Sequence, residues 1–447
     1  MSFSSCFKLV CRFGGMGMIN LVIIFAIILA IALGYKTKIN TGLFGMVFAY
    51  LIGTFMMGLK PSEVIKMWPI SIFFVIFSIS LFYNFAIGNG TLEKLAQHLL
   101  YRIRKFPSLL PFAIFGAATI MSALGAGFFA VLAFFAPIAI LLCKKTNTNL
   151  LVGALAANYG ALCGHNFMIS PGGIVFVGLM KQAGFSTQAY GYEFAIFLAS
   201  MIIPIIVLAV LGVFNKKHST ADSLLDMERP TAFEPIQKKT LSLIFGMIVI
   251  VLIFPLLDSI FPGTYFLKTM DKSIDVGLVS IIFAVIGLLM KLGNEKEIVK
   301  NVPWGTLIMI CGIGMLISVA IKAGTVAVIA SVVSSALPAS IVPAVMAVIA
   351  GFMSFFSSTT GVVTPALFPI VPDLANASNI APFTLFSAIV IGAQATAISP
   401  FSTGGSLLLS AVSDADRERM FTDLMFKGAP ICLVVAIIYA FIISILV

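Results

Sequence analysis

Charge is scarce in this 447-residue chain: Asp, Glu, Lys and Arg together make up 10% of it, against roughly a quarter in an ordinary soluble domain. Histidine is scarcer still, at three residues, so a multi-histidine metal centre has little material to form from. The six cysteines (Cys6, Cys11, Cys143, Cys163, Cys311 and Cys432) include no C-x-x-C pair, and four lie in or beside apolar segments. They read as packing thiols rather than metal ligands or disulfide partners. No Asp or Glu is expected inside a crossing segment; Asp275 and Asp373 stand at segment ends. No His, acidic or Cys constellation gathers near one interface, which argues against a membrane-embedded enzyme. No basic cluster is interleaved with aromatics, so the net charge of +10 does not indicate nucleic acid.

What is present is apolar material, 60% of the residues, with a mean hydropathy of +1.13. Apolar segments fall at about 19–34, 41–59, 69–88, 108–143, 149–181, 192–214, 241–257, 274–291, 303–321, 340–372, 381–412 and 429–446. Most are long enough to cross about 30 Å of hydrocarbon as helices. Barrel strands would instead show about ten-residue alternation. The chain reads as an all-α polytopic protein of the lipid bilayer. The first 18 residues, with Lys8 and Arg12, loosely resemble a signal peptide. No small-residue cleavage site follows, and Ile19 to Leu33 reads as a first membrane helix, with Met16 or Met18 as alternative starts.

Segments 108–143 and 340–372 are too long for one crossing and too short for two, and each breaks near its middle. That length predicts re-entrant hairpins. A shift of 232 residues superposes the two halves without a gap from about 118 to 173: Met121-Ser122 falls on Met353-Ser354, Pro137-Ile138 on Pro369-Ile370, Gly160-Ala161 on Gly392-Ala393, Ser170 on Ser402, and Gly172-Gly173 on Gly404-Gly405. Each half then holds five crossings and one hairpin, about ten crossings in all. An odd number inverts the second copy, and inverted repeats with interrupted helices mark secondary transporters. The expected organisation is a first repeat over 1–214, a linker over 215–239 and a second repeat over 240–447. Most of the 27 Lys and Arg fall in loops on the linker side, including Arg102, Arg104, Lys105, Lys144, Lys145, Lys216, Lys217, Lys238 and Lys239. The linker is therefore expected in the cytoplasm and both termini outside the cell membrane.

Four interruptions carry the candidate chemistry. Unpaired backbone at membrane depth persists only where protein or a watery cavity satisfies it. The tip Ser357-Ser358-Thr359-Thr360-Gly361 offers hydroxyls and the free N–H groups of a helix start, which favour anions. The matching tip, Gly125-Ala126-Gly127, lets backbone amides approach a ligand closely. The breaks "ALCGHNFMISPGG" (161–173) and "AQATAISPFSTGG" (393–405) both end in Ser-x-Gly-Gly. Proline and glycine unwind a helix there. The exposed carbonyls suit a cation, while Ser170, Gly172, Ser402, Thr403, Gly404 and nearby N–H groups suit an anion. His165 and Asn166 lie in the first break, and an ionisable group within a crossing is a functional candidate.

"INTGLFGMVFAYLIGTFMMGLKPSEVI" (39–65), "NGTLEKLAQ" (89–97), "SALGAGFFAVLAFFAPIAI" (122–140) and "GHNFMISPGGIVFVGLM" (164–180) resemble the MatC-type dicarboxylate (malonate) carriers. The second tip and "SPFSTGGSLLL" (399–409) look like the wider ion-transporter superfamily, which includes the divalent-anion/sodium symporters. The resemblance implies a homodimeric elevator-type carrier, with a transport unit built from the hairpins and broken helices. In the symporter branch each tip carries Ser-Asn-Thr; here Gly125-Ala126-Gly127-Phe128 and Ser357-Ser358-Thr359-Thr360 depart from that pattern. By the same resemblance, Na+ as coupling ion would sit near Gly164, Thr360, Gly361 and Ala397. The expected activity is ion-coupled (Na+ or H+) transport of a small organic anion such as malonate or a C4-dicarboxylate. The alternative is another superfamily activity, a cation/proton antiporter or an inorganic-anion carrier.

Overall fold

The computed structural model describes residues 17–103, 109–146, 148–214, 229–260, 264–355 and 357–446. Among them the secondary structure is helical, with no strand. The helices that position the site are α1 (Met18–Thr37), α2 (Thr41–Tyr50), α3 (Ile70–Gly88), α4 (Thr91–Ile103), α5 (Leu110–Ala123), α6 (Phe128–Lys145), α7 (Leu150–His165), α8 (Pro171–Gln182) and α9 (Ala189–Phe214). They are followed by α10 (Pro235–Ile260), α11 (Val276–Leu289), α12 (Trp304–Lys322), α13 (Thr325–Ala336), α14 (Val342–Phe355), α15 (Val371–Ser378), α16 (Pro382–Ala395), α17 (Thr403–Ser410) and α18 (Ala429–Leu446). Among the described residues, five helices are long and apolar enough to cross a membrane, or six if the pair bent by 114° between Ala336 and Ala339 counts as one span. Several others, including α5, α7, α11 and α16, are apolar but short. The cause is local: α5, α7 and α16 stop at the interruptions instead of running on.

Each predicted break is present. Segment 108–143 divides into α5 and α6 around residues 124–127. The α5 helix ends on Gly125 at φ +97, with the Ala126 N–H returning to the Met121 carbonyl at 3.3 Å. This is the glycine-dependent helix stop that satisfies terminal carbonyls. Segment 149–181 divides into α7 and α8 around 166–170, where Pro171 holds the first helical position and pushes Ser170 into an extended conformation (φ −81, ψ 162). Ser402 repeats that conformation (φ −81, ψ 163) before α17. After α14 the chain resumes helix at Thr359 and runs almost without interruption to Ser378, despite Pro365, Pro369 and Pro372. Amphipathic helices, α4, Tyr265–Ser273 and α13 among them, occupy stretches between the expected apolar segments. A reading tuned to apolar runs passes over helices that are polar on one face.

The 232-residue spacing recurs in the packing. A Cβ on Gly160 would meet the Phe115 carbonyl oxygen at 2.5 Å, and one on Gly392 would clash with the Ala347 carbonyl oxygen. Gly173 closes on the Phe167 carbonyl as Gly405 closes on that of Ser399. Gly160 and Gly392 let α7 lie on α5, and α16 on α14, backbone against backbone. The remaining helices pair crosswise, α2 against α12 and α11 against α3. A Cβ on Gly42 would strike the Ile308 carbonyl oxygen and one on Gly312 that of Gly42, while Gly45 would meet the Gly312 oxygen at 2.6 Å. The Asn40 amide donates to the Gly305 carbonyl at 2.7 Å and fixes the register.

Residues 215–228 of the expected linker lie outside the described residues, as do Cys6, Cys11, Lys8, Arg12, Met16, Arg104, Lys105, Lys216 and Lys217. The expectation of no acidic residue within a crossing needs correcting. Glu193, at the edge of its apolar segment in the sequence, sits inside the membrane-capable helix Ala189–Leu211 and is fully buried. The α9 helix starts earlier than the apolar run that marked it.

The glycine contacts predict an asymmetry. Gly312→Leu should lower the stability of the detergent-solubilised protein by about 1–3 kcal/mol or more, because no void accepts the side chain. Gly116→Ala, which has nothing within 4 Å of its Cβ direction, should leave the thermal midpoint unchanged or raise it.

Candidate functional site

The interruptions meet around one cavity of about 240 Å³. From α3 it is lined by Ile76, Ser80, Tyr83 and Asn84, and from α12 and the residues before it by Thr306, Asn301 and Pro303. The breaks contribute Gly125, Gly127, Phe128, His165, Pro171, Ser354, Ser357, Ser358, Thr359, Thr360, Ala397, Ser402 and Gly404. Among the described residues that line it, none is Asp, Glu, Lys or Arg.

Four helix starts converge here. Gly127 precedes α6, Ser358 precedes the turn that begins at Thr359, Pro171 opens α8, and Ser402 and Gly404 open α17. Each start leaves N–H groups without an intrahelical acceptor, and together they set a positive potential without a formal positive charge. The serines partly manage that excess. Ser358 Oγ accepts from the Gly361 N–H at 3.1 Å, and Ser402 Oγ accepts from the Gly405 N–H at 3.1 Å. Ser402 Oγ also donates to the Ala397 carbonyl at 2.6 Å.

The hydroxyl tip is less open than its composition implies. Ser357 donates back to the Met353 carbonyl at 2.6 Å, and Thr359 Oγ1 pairs with Ser354 Oγ at 3.0 Å. The tip thus spends Ser357 on its own backbone, the usual alternative for serine in a broken helix, and Thr359 on a neighbouring hydroxyl. The first tip relies on shape instead: Gly125 lies directly under the Tyr83 ring, where a Cβ has no room. Tyr83 is buried and its hydroxyl has no hydrogen-bond partner.

Several predicted positions lie behind the cavity wall. Ala126 is fully buried. The Asn166 amide forms a reciprocal pair with Gln394, Nδ2 to Oε1 at 3.0 Å and Gln394 Nε2 to Oδ1 at 2.6 Å. Ser170 donates to the Phe167 carbonyl at 2.7 Å and to that of His165. Gly172 carries the His165 ring against its Cα, so a Cβ there would collide with Cδ2. The imidazole faces the cavity, and its Nδ1 has no partner. Of the four positions suggested for a cation, Thr360 and Ala397 line the cavity, whereas Gly164 packs on the Thr119 carbonyl and Gly361 on Met309. The Thr403 side chain lies outside the described residues.

Ser80, Tyr83, Asn84, Asn301 and Thr306 were not anticipated. A signal existed for the first three: in "ISIFFVIFSISLFYNFAIG" they are polar or amphipathic groups at i, i+3 and i+4, one face of an otherwise apolar helix.

Residues 17–165 match the family described as the dicarboxylate carrier protein MatC N-terminus. Over that stretch the chain is MatC-like. The match ends at His165, so it covers α1 to α7 and stops at the first break. No curated protein matches the chain in sequence. Among solved structures, the YdaH transporter of Alcanivorax borkumensis superposes with a TM-score of 0.56 at 14% identity, over 95% of this chain and 98% of that one. MtrF of Neisseria gonorrhoeae, whose structure was described as illuminating a class of antimetabolite efflux pumps, superposes with a TM-score of 0.59 at 13% identity, over 89% of this chain and 84% of that one. At such identities the likeness is one of fold. The chain thus joins a MatC-like first third to a helical fold shared with these two membrane proteins.

The Asn166–Gln394 pair ties the two breaks together. Removing one amide strands the other in the interior, so Asn166→Ala and Gln394→Ala should each destabilise by about 1–3 kcal/mol. The double variant should lose less than their sum. A double-mutant cycle from thermal or denaturant unfolding measures the difference.

Proposed function

We propose that the protein is a secondary active transporter of a small organic anion, with a dicarboxylate such as malonate or a C4-dicarboxylate as substrate. The observation that carries this reading is the convergence of four helix starts on a cavity whose described lining residues include no Asp, Glu, Lys or Arg. A carboxylate placed there would take N–H and hydroxyl donors and the ends of helix dipoles. A site held by formal charge would retain its ligand more strongly, whereas dipoles and neutral donors suit binding followed by release. The MatC-like first third supports a dicarboxylate over an inorganic anion.

The packing also supports an elevator-type cycle within two inverted repeats, each holding one re-entrant hairpin. The helices α5 to α8 and α14 to α17 form one unit, cross-linked by the Asn166–Gln394 pair and by Tyr159, whose hydroxyl donates to the Ala395 carbonyl at 2.7 Å. The crossed pairs α2–α12 and α3–α11 form a second unit. The cavity lies along the seam between them, so sliding the first unit past the second would carry a bound solute. In this reading the protein lies in the cell membrane as a homodimer, the linker 215–239 is cytoplasmic, both termini are outside, and Na+ or H+ supplies the driving force.

Uptake or counterflow of labelled malonate or succinate in proteoliposomes is the direct test, and absence of both for every small dicarboxylate would remove the substrate class. Gly404→Leu should lower uptake at least tenfold, about 1.4 kcal/mol, since the glycine opens α17 onto the cavity. Ser402→Ala combined with Thr403→Ala should act in the same direction. Normal transport by both variants would place the site elsewhere.

A further inference from the structure

One buried acidic group has no role in the cavity. Glu193 lies one turn inside α9, fully buried, and neither carboxyl oxygen has a hydrogen-bond partner among the described residues. An ionised carboxylate in dry surroundings demands a counter-charge or several donors, and a membrane-capable helix is an expensive place to keep one idle. The α9 helix packs on α7, α8 and α16, and less closely on α5, all of them parts of the unit that contains the breaks. Few other titratable groups stand on these elements. The α7 helix carries Tyr159, Cys163 and His165, α8 carries Lys181, α9 itself carries Tyr190 and Tyr192, and α5 and α16 carry none. Lys181 lies over the Tyr190 ring at 4.5 Å.

The position of Glu193 connects it to the moving parts. Glu193, Ile196 and Ser200 follow one another on the buried face of α9. Ser200 lines a small second cavity with Tyr159, Cys163 and Gln394, and Gln394 holds the Asn166 amide beside His165. At the other end, Tyr192 packs on Phe383 and Phe386 of α16. Between them in sequence is Thr384, a buried hydroxyl that also lacks a partner.

We propose that Glu193 is the proton-binding site of an H+-coupled cycle. On one side of the membrane the carboxylate takes a proton from hydronium and leaves water. The neutral carboxyl then permits the closed packing of α9 against α7, α8 and α16. On the other side water removes the proton. One proton thus crosses with the anion, and no redox or covalent step is involved. This deepens, and rests on, the anion-carrier reading.

The experiment uses full-length protein in proteoliposomes. Counterflow at equal pH on both sides reports binding and alternating access, while accumulation driven by an acid exterior in sodium-free buffer reports coupling. Wild type should show both, and Glu193→Gln should keep counterflow and lose accumulation. A pH dye trapped in the wild-type lumen should record acidification with each substrate pulse, a reading that does not depend on any variant folding. Accumulation by Glu193→Gln equal to wild type, loss of both activities in a monodisperse Glu193→Gln, or no lumenal acidification in wild type would each overturn the proposal. Absence of wild-type counterflow would instead remove the carrier reading, and this inference with it.

Discussion

Backbone polarity inside an apolar protein is the constraint on which the rest of this structure depends. A helix hides its own peptide groups, but a helix that stops partway exposes N–H and carbonyl groups where no water waits to receive them. This chain stops several helices partway, at residues 124–127, 166–170 and 396–402, and before Thr359. Each stop has its own local repair. Gly125 reverses the chain, Ser358 and Ser402 cap the following turns, and Ser357 and Ser170 return hydroxyls to carbonyls. What the repairs leave unsatisfied faces a shared cavity.

Close packing makes that convergence geometrically feasible. Four short helices must bring their ends together, and side chains at the crossings would hold them apart. Gly160 and Gly392 remove that obstacle at equivalent places in the two halves, and Gly42, Gly45 and Gly312 do the same for the helices that pair crosswise. Close approach maximises dispersion contacts, which drive helix association when the surrounding lipid is as apolar as the side chains. The glycines therefore contribute stability and site geometry through one mechanism.

The polar interior divides into two kinds of group. Asn166, Gln394, Ser170 and Tyr159 spend their hydrogen bonds within the protein and join the breaks to one another. His165, Tyr83 and Glu193 retain buried polar atoms without partners. Satisfied buried networks rigidify a core, while unsatisfied groups mark places where something else must bind or move. The first set holds the breaks together, and the second is where chemistry is to be sought.

Much of this was written in the one-dimensional pattern. Long apolar runs fixed the all-helical membrane class, since a helix satisfies its own backbone in hydrocarbon and a closed barrel would instead show short alternating segments. Proline, glycine and serine at a common spacing of 232 located the breaks, because those residues act on backbone dihedrals within a few positions of themselves. Side-chain destinations were not local, and there the pattern was silent or misleading. Asn166 and Ser170 turned inward to Gln394 and the Phe167 carbonyl. Ser80, Tyr83 and Asn84 turned toward a cavity formed with residues hundreds of positions away. Glu193 read as a segment boundary until neighbouring helices enclosed it. Periodicity and turn chemistry reside in short windows of sequence, but burial and partnership are set by which distant helix lies alongside, and only the assembled packing decides that.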